Sequence, residues 1–351
     1  MKNKKFIYIL FLTTTLFSAC STDLDVTGNW KETMVIYGLL DQSQTKQYIK
    51  INKAFLGQGN AFEFAQIKDS VQFVHSLNVR IRRNDGIEYP LSPDGSILKD
   101  PGIFYAPDQT NAIYSLDNAV CGSTFFNTAS SYKLVVKNNE SGDSATAYTS
   151  LVSDFGAFIQ PFSASSVFTF ILPHNDTYPF KVEWHSAAGA RVYQTIIRFN
   201  YFDSLTTGTD TSYLDWVFPM QTTATTAGGE DMTTSFIGEN YLQFIASKIT
   251  SNPVNLVFRK ALKTDIILVS ATDDLYTFIQ VNTPSTGLIQ EKPEFTNISN
   301  GLGIFSARFN KPPYSKPLSA GIGGTLDSLA CGRYTKSLKF LNGMDQLVIC
   351  P

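Results

Sequence analysis

The chain is predicted to be mainly β: an antiparallel β-sandwich followed by a second β-rich domain with one or two short helices. Short β-branched and aromatic runs recur with alternating polarity, and glycine, asparagine, aspartate and proline clusters punctuate them. No helical pattern between them is long enough for a parallel crossover.

Taken in order, Thr33 to Leu40 (TMVIYGLL) and Gln47 to Asn52 (QYIKIN) read as two strands around the polar stretch Asp41 to Lys46. The piece from Phe55 to Phe73, with Gly57 and Gly59, has no decisive period and holds one short helix or a long loop. Asn78 to Arg83, Ile87 to Leu91, Ala112 to Leu116 and Tyr132 to Lys137 continue the strand series. Turn signals at Asn84-Asp85-Gly86, Pro93-Asp94-Gly95 and Asn138 to Gly142 separate them. The first domain is expected over residues 30–152 and the second over 153–351. In the second, Ala164 to Leu172, Phe180 to His185 and Arg191 to Tyr201 read as strands. Thr206 to Glu230, rich in Thr and Gly around YLDWVFP, reads as long hairpins or a mobile loop. Two helices are expected, at Ser235 to Ile249 and from Asp273 or Asp274 to Val281, the second capped by one of those aspartates. Asp265 to Ala271 reads as a buried strand between them, and Ser337 to Phe340 with Gln346 to Ile349 as a closing hairpin. Asn300 to Gly303 reads as a tight turn, since a phosphate loop would need a lysine and a strand-to-helix setting.

Residues 1–19 are an export signal. Lys2, Lys4 and Lys5 precede an apolar stretch from Phe6 to Phe17 that three threonines dilute, too short for a permanent span. Leu16-Phe17-Ser18-Ala19-Cys20 resembles a lipobox, in which small residues open the bond before the cysteine to the lipoprotein signal peptidase. Lipidation is therefore expected on Cys20, with residues 20–29 as a tether. Two or three acyl chains, at about 0.8 kcal/mol per buried methylene, would make release from the membrane negligible.

Without residues 1–19 the chain carries 25 basic against 30 acidic side chains, a net charge of −5, which gives no electrostatic footprint for nucleic acid. With 43% hydrophobic and 17% charged residues it can bury a large core and is not disordered. Cys121, Cys331 and Cys350 remain beside Cys20, an odd remainder that leaves a free thiol or an intermolecular bond. If any pair is bridged, Cys331 with Cys350 closes the shortest loop. No Cys-x-x-Cys spacing is present, and no metal or cofactor is expected.

The lipobox tract, the block MVIYGLL with YIKINKAFLGQGNA, and DLYTFIQV with FTNISNGLGIFSAR together resemble an uncharacterised family of Bacteroidota lipoproteins, known chiefly as a domain of unknown function. The resemblance implies an outer-membrane lipoprotein with an immunoglobulin-like amino-terminal domain, often encoded near TonB-dependent transporters, and no catalytic residues. Ser21 with Asp23 and Asp25 is similar to the sorting signals of such lipoproteins.

Candidate sites are few. His174, His185, Asp176 and Glu183 lie near one strand but lack fixed ligand spacing and a third donor, and His75 stands alone. No Gly-x-Ser-x-Gly elbow, and no Ser-x-x-Lys with the companion motifs of a penicillin-recognising enzyme, points to a nucleophile. Trp216, Tyr213 and Tyr241 sit beside the Thr/Gly loop; core packing is the first reading of such aromatics in a sandwich, and stacking of a ligand is the functional alternative. Ser70, Ser144, Ser204 and Ser328 occupy Asp-Ser tripeptides similar to a Bacteroidota O-glycosylation pattern. The expectation is a non-enzymatic binding or accessory lipoprotein of the outer membrane, facing the periplasm or the cell surface. Its partner would be a TonB-dependent transporter or another envelope protein. The alternative is direct capture of glycans or peptides, with or without weak hydrolysis.

Overall fold

Alternation in TMVIYGLL places Met34, Ile36 and Leu40 on one side of β1 (Thr33–Leu40), where all three are buried. In the computed structural model, which describes residues 33–54, 61–73, 75, 77–98, 112–162, 164–173, 175, 177–283 and 294–350, this strand lies near the middle of a long mixed sheet. Strand accounts for 44% of the described residues and helix for 15%, so the molecule is mainly β, sandwich-like and not a closed barrel.

The strands are β2 (Lys46–Ala54), β3 (Asn78–Arg83), β4 (Glu88–Pro93), β5 (Ile113–Asp117), β6 (Ser131–Lys137) and β7 (Ser144–Ser150) in the first half. The second half has β8 (Pro179–His185), β9 (Val192–Leu205), β10 (Gly208–Val217), β11 (Gln221–Thr222), β12 (Asp231–Ile237), β13 (Leu256–Ala271), β14 (Gly301–Asn310) and β15 (Tyr314–Pro317). The sheet runs β10-β9-β13-β14-β1-β2-β5-β4-β3-β6-β7, while β8 and β12 form a separate pair. Strand β4 touches β5 through only Ser92 and Pro93 before pairing along β3, so the sheet folds over there and β3, β6 and β7 come to face β1 and β2. Ile36, Ile49, Ile51, Ile81, Leu134 and Val136 fill the space between. A second core gathers around Trp184, Tyr193, Phe199 and Tyr241.

Strand β14 joins the two. It pairs parallel with β1, from Met34 opposite Gly301 to Leu40 opposite Ala307, and antiparallel with β13. Its Phe305 and Ala307 enter the first core and Phe309 the second. Glycine is required at the seam: Gly303 has φ +104°, and a Cβ there would drive into the Ile36 carbonyl oxygen.

Several expected elements differ. Residues 164–172 form no strand, although Phe168, Phe170 and Ile171 are buried. The amides of Phe170 and Ile171 donate to the Thr325 hydroxyl instead of a neighbouring ladder. Ser235 to Ile237 belongs to β12, and helix α4 (Gly238–Lys248) begins only after it. Helix α5 (Asp273–Asn282) has Thr272 at its N-cap; Asp273 and Asp274 lie inside the first turn, where they complement the helix dipole. The last segment contains the short helix α6 (Thr325–Cys331) and a 3-10 turn at Lys336–Leu338, not a hairpin. Short helices α1 (Ala61–Gln66), α2 (Lys68–Val71) and α3 (Asn118–Cys121) complete the set among the described residues.

Cys331 and Cys350 are joined, with Cα atoms 5.2 Å apart. They close a loop with a sequence separation of 19. Cys331→Ser should lower stability by about 3 kcal/mol on the loop-entropy scale. Equal urea midpoints for this variant and the oxidised parent would contradict that role. The Cys121 thiol is buried, which pushes its pKa up and keeps it protonated.

Acid sensitivity follows from four carboxyls held below their ordinary range. Asp85 is lowered by Arg83, Glu88 by Arg82, Asp94 by Lys46, and Glu230 by the amides of Ala224 and Thr225. Because these groups take up protons more readily unfolded, the stability they contribute is complete above about pH 4.5 and is lost as pH falls through the folded values. Melting temperature should be level between pH 7 and 5 on this account and should fall from about pH 4 downward. A level profile down to pH 2.5 would contradict it.

Candidate ligand-binding hollow

The strand TMVIYGLL carries apolar residues on both faces, and the outward set, Val35, Tyr37 and Leu39, is only partly covered. Tyr37 is 43% exposed, and Tyr48 of β2 beside it 39%. Helix α5 passes over this face. Its residues Leu275, Phe278 and Ile279 follow the i, i+3, i+4 spacing of one apolar stripe, yet the helix has no fully buried residue. Phe278 meets Tyr37 edge-on, with ring centroids 6.2 Å apart.

Helix and sheet thus stand apart around an open hollow of about 490 Å³, a size typical of small-molecule sites. Ile304 of β14 also lines it. The helix is held by its first turn. The Thr272 and Ser306 hydroxyls are hydrogen-bonded, and the Asn297 amide donates to Asp274 Oδ2 at 3.1 Å. Asn297 also exchanges two hydrogen bonds with the Phe305 backbone, fixing the helix start to β14.

The hollow's charges are unequal. Lys46, Lys50 and Arg308 line it against one carboxylate, Asp41. Lys46 is engaged by Asp94 at 2.8 Å. Lys50 has no ion pair among the described residues. Asp41 is 2% exposed; its Oδ1 accepts from the Ser43 amide and hydroxyl, and Gln47 brackets its backbone. Its Oδ2 faces Arg308 Nε at 3.5 Å, and neither atom has a hydrogen-bond partner. The pair is electrostatic without a made hydrogen bond, leaving the guanidinium available to another acceptor.

The residues singled out from sequence lie elsewhere. Tyr241 is a correction: it is fully buried between Phe170, Phe199 and Phe236, offers no face to a ligand, and burial pushes its hydroxyl pKa far up. Trp216 packs at 4.6 Å from Phe218 and stacks at 5.3 Å on Phe244, so most of its ring serves the core. Tyr213 is exposed, but the Arg198 guanidinium covers its ring at 4.2 Å while also binding Asp215. These three do not form one platform. His185 Nδ1 lies 2.8 Å from Asp231 Oδ1 and His75 pairs with Glu140, both at the surface; His174 and Asp176 lie outside the described residues. Among the described residues no group of three or more His, Cys, Asp or Glu could hold a metal. Ser144 is exposed at the start of β7, whereas Ser70, Ser204 and Ser328 are half-buried. Cys20, within residues 1–32, lies outside the described residues.

Sequence reasoning missed Tyr37, Tyr48, Phe278 and Arg308. A signal existed for the first: apolar residues on both faces of a strand expected to have one wet face require a second covering element.

Fold and hollow together define a β-rich, sandwich-like protein with a partly open apolar recess between α5 and the outward face of β1, β2 and β14. Residues 21–309 match Domain of unknown function (DUF4249), and the chain belongs to that family. No curated protein matches the sequence. Among solved structures, one titled "Cytokine receptor complex - Crystal form 2" is 9% identical, with 68% of this chain and 90% of that chain covered and a TM-score of 0.22. Another, titled "Cytokine receptor complex - Crystal form 1A", is 8% identical over 80% and 95%, also at 0.22.

Proposed function

We propose that the chain is a non-enzymatic binding protein of the bacterial envelope, an outer-membrane lipoprotein of Bacteroidota type anchored through lipid on Cys20. Its partner is a TonB-dependent transporter or another envelope complex. The observation that carries the binding reading is the hollow, in which an amphipathic helix leaves its apolar stripe half uncovered above two exposed tyrosines. Monomeric proteins seldom leave such surface open without a ligand or partner for it. The charged groups there are suited to holding an anion, and they lie next to apolar walls that orient its body.

The anchor reading rests on the tract Leu16 to Cys20 and its preceding lysines. Capture of glycans or peptides is the second reading, favoured by exposed Tyr37 and Tyr48, in place of the aromatic set around Trp216.

Purification of the full chain from its native membranes in mild detergent tests the main reading. A stoichiometric envelope partner should accompany the parent and be lost or depleted with Phe278→Asp. Recovery only as a solitary monomer would contradict it.

A further inference from the structure

The geometry points to an anionic amphiphile as the ligand of this hollow: a single carboxylate on an apolar body, its tail lying between α5 and β1 and its carboxylate between Arg308 and Lys50. This rests on reading the hollow as a binding site and names what it holds.

The walls select the body. Leu275, Phe278 and Ile279 on one side and Tyr37, Leu39 and Ile304 on the other present almost only carbon to the space between them. A sugar or a polar peptide would leave hydroxyls or amides facing those walls without partners, a cost that an alkyl or aryl chain avoids. The rim selects the head group. The whole chain is net −2, yet the hollow holds three cations against one carboxylate; Arg308 makes no hydrogen bond to that carboxylate, and Lys50 has no ion pair among the described residues. The Arg308 side chain is 42% exposed and makes no hydrogen bond to Asp41, which lies 3.5 Å from its buried Nε, so the exposed part of the guanidinium can donate to a ligand carboxylate in charge-assisted geometry. Asp41 then acts as a positioning residue: fixed by Ser43 and Gln47, it keeps the guanidinium turned toward the hollow.

Calorimetric titration of the polypeptide from Ser21 to Pro351, which includes every described residue, separates these contributions. Decanoate should bind saturably with one site and at least about tenfold more tightly than decanol, as one charge-assisted bond implies. Arg308→Ala and Lys50→Ala should each weaken decanoate and leave decanol unchanged, Arg308→Lys should recover part of the loss, and Phe278→Ala should weaken both ligands. Equal affinities for decanoate and decanol would overturn the assignment, as would unchanged decanoate binding by Arg308→Ala. Saturable binding of an oligosaccharide or a neutral peptide with none of decanoate would also overturn it. A chain that retains its envelope partner but binds no decanoate would overturn the ligand assignment alone and leave the partner reading standing.

Discussion

Gly303→Ala should lower stability by about 3–5 kcal/mol, from backbone strain and overpacking together. Gly303 sits in the parallel seam, at φ +104°, where the Ile36 carbonyl leaves no room for a methyl group. Relief would require β14 to move away from β1. That movement would disturb both cores, since Phe305 and Ala307 sit in one and Phe309 in the other. Domains of ordinary stability hold only about 5–15 kcal/mol in all, so the variant should unfold at a markedly lower urea concentration. Gly95→Ala provides the control: an added Cβ meets nothing within 4 Å, and the change should stay within about 0.5 kcal/mol. Equal midpoints for the two variants would show that the seam does not hold the halves together.

Arg259→Ala should cost a similar amount, about 3–5 kcal/mol, because it strands a partly buried carboxylate. Arg259 is 2% exposed and binds Asp203 Oδ1 at 2.9 Å, Asn252 Oδ1 at 2.5 Å and the Leu338 carbonyl at 2.9 Å. Its own backbone also pairs with Lys339 and Leu341. One planar fork therefore ties β13, β9 and the C-terminal segment together. Lysine presents a point charge and cannot span three acceptors in different directions, so Arg259→Lys should recover less than half of the loss. Hydrogen exchange should show the residues around Phe340 losing protection before the β1–β2 pair does. Uniform loss across the molecule, or full rescue by lysine, would contradict this role.

How much of this was legible in the sequence depended on how local the determining contacts are. Strands β1 and β3 begin and end where alternation in TMVIYGLL and NVRIRR does, because each buries one face against a single core. Strand β7, SATAYTS, went unread: Ala145 and Ala147 are the inward residues, and alanine carries little strand signal. Residues 164–172 have a strand's composition but extend no ladder: Phe168 makes a single parallel bridge to Leu318, and Thr325, more than 150 residues away, takes the amides of Phe170 and Ile171. Parallel pairing of β1 with β14 is likewise invisible locally, being a contact between opposite ends of the described chain.

The candidate site was less legible than the fold for the same reason. Tyr37, Lys50, Phe278 and Arg308 come from four elements that meet only once β14 has docked beside β1. The aromatic residues that stood out in sequence, Trp216 and Tyr241, are conspicuous because the second core is built from rings. Their prominence reports packing, and the exposed tyrosines lie on the outward faces of β1 and β2, beneath α5.

The functional account depends on attachment at a membrane surface, and the mass of the natural amino-terminal peptide, taken from native membranes, tests it most directly. The account predicts cleavage after Ala19 and a Cys20 that carries a diacylglyceryl group. An unmodified Cys20 thiol, or a chain that retains Met1 and is recovered free of membranes, would contradict it.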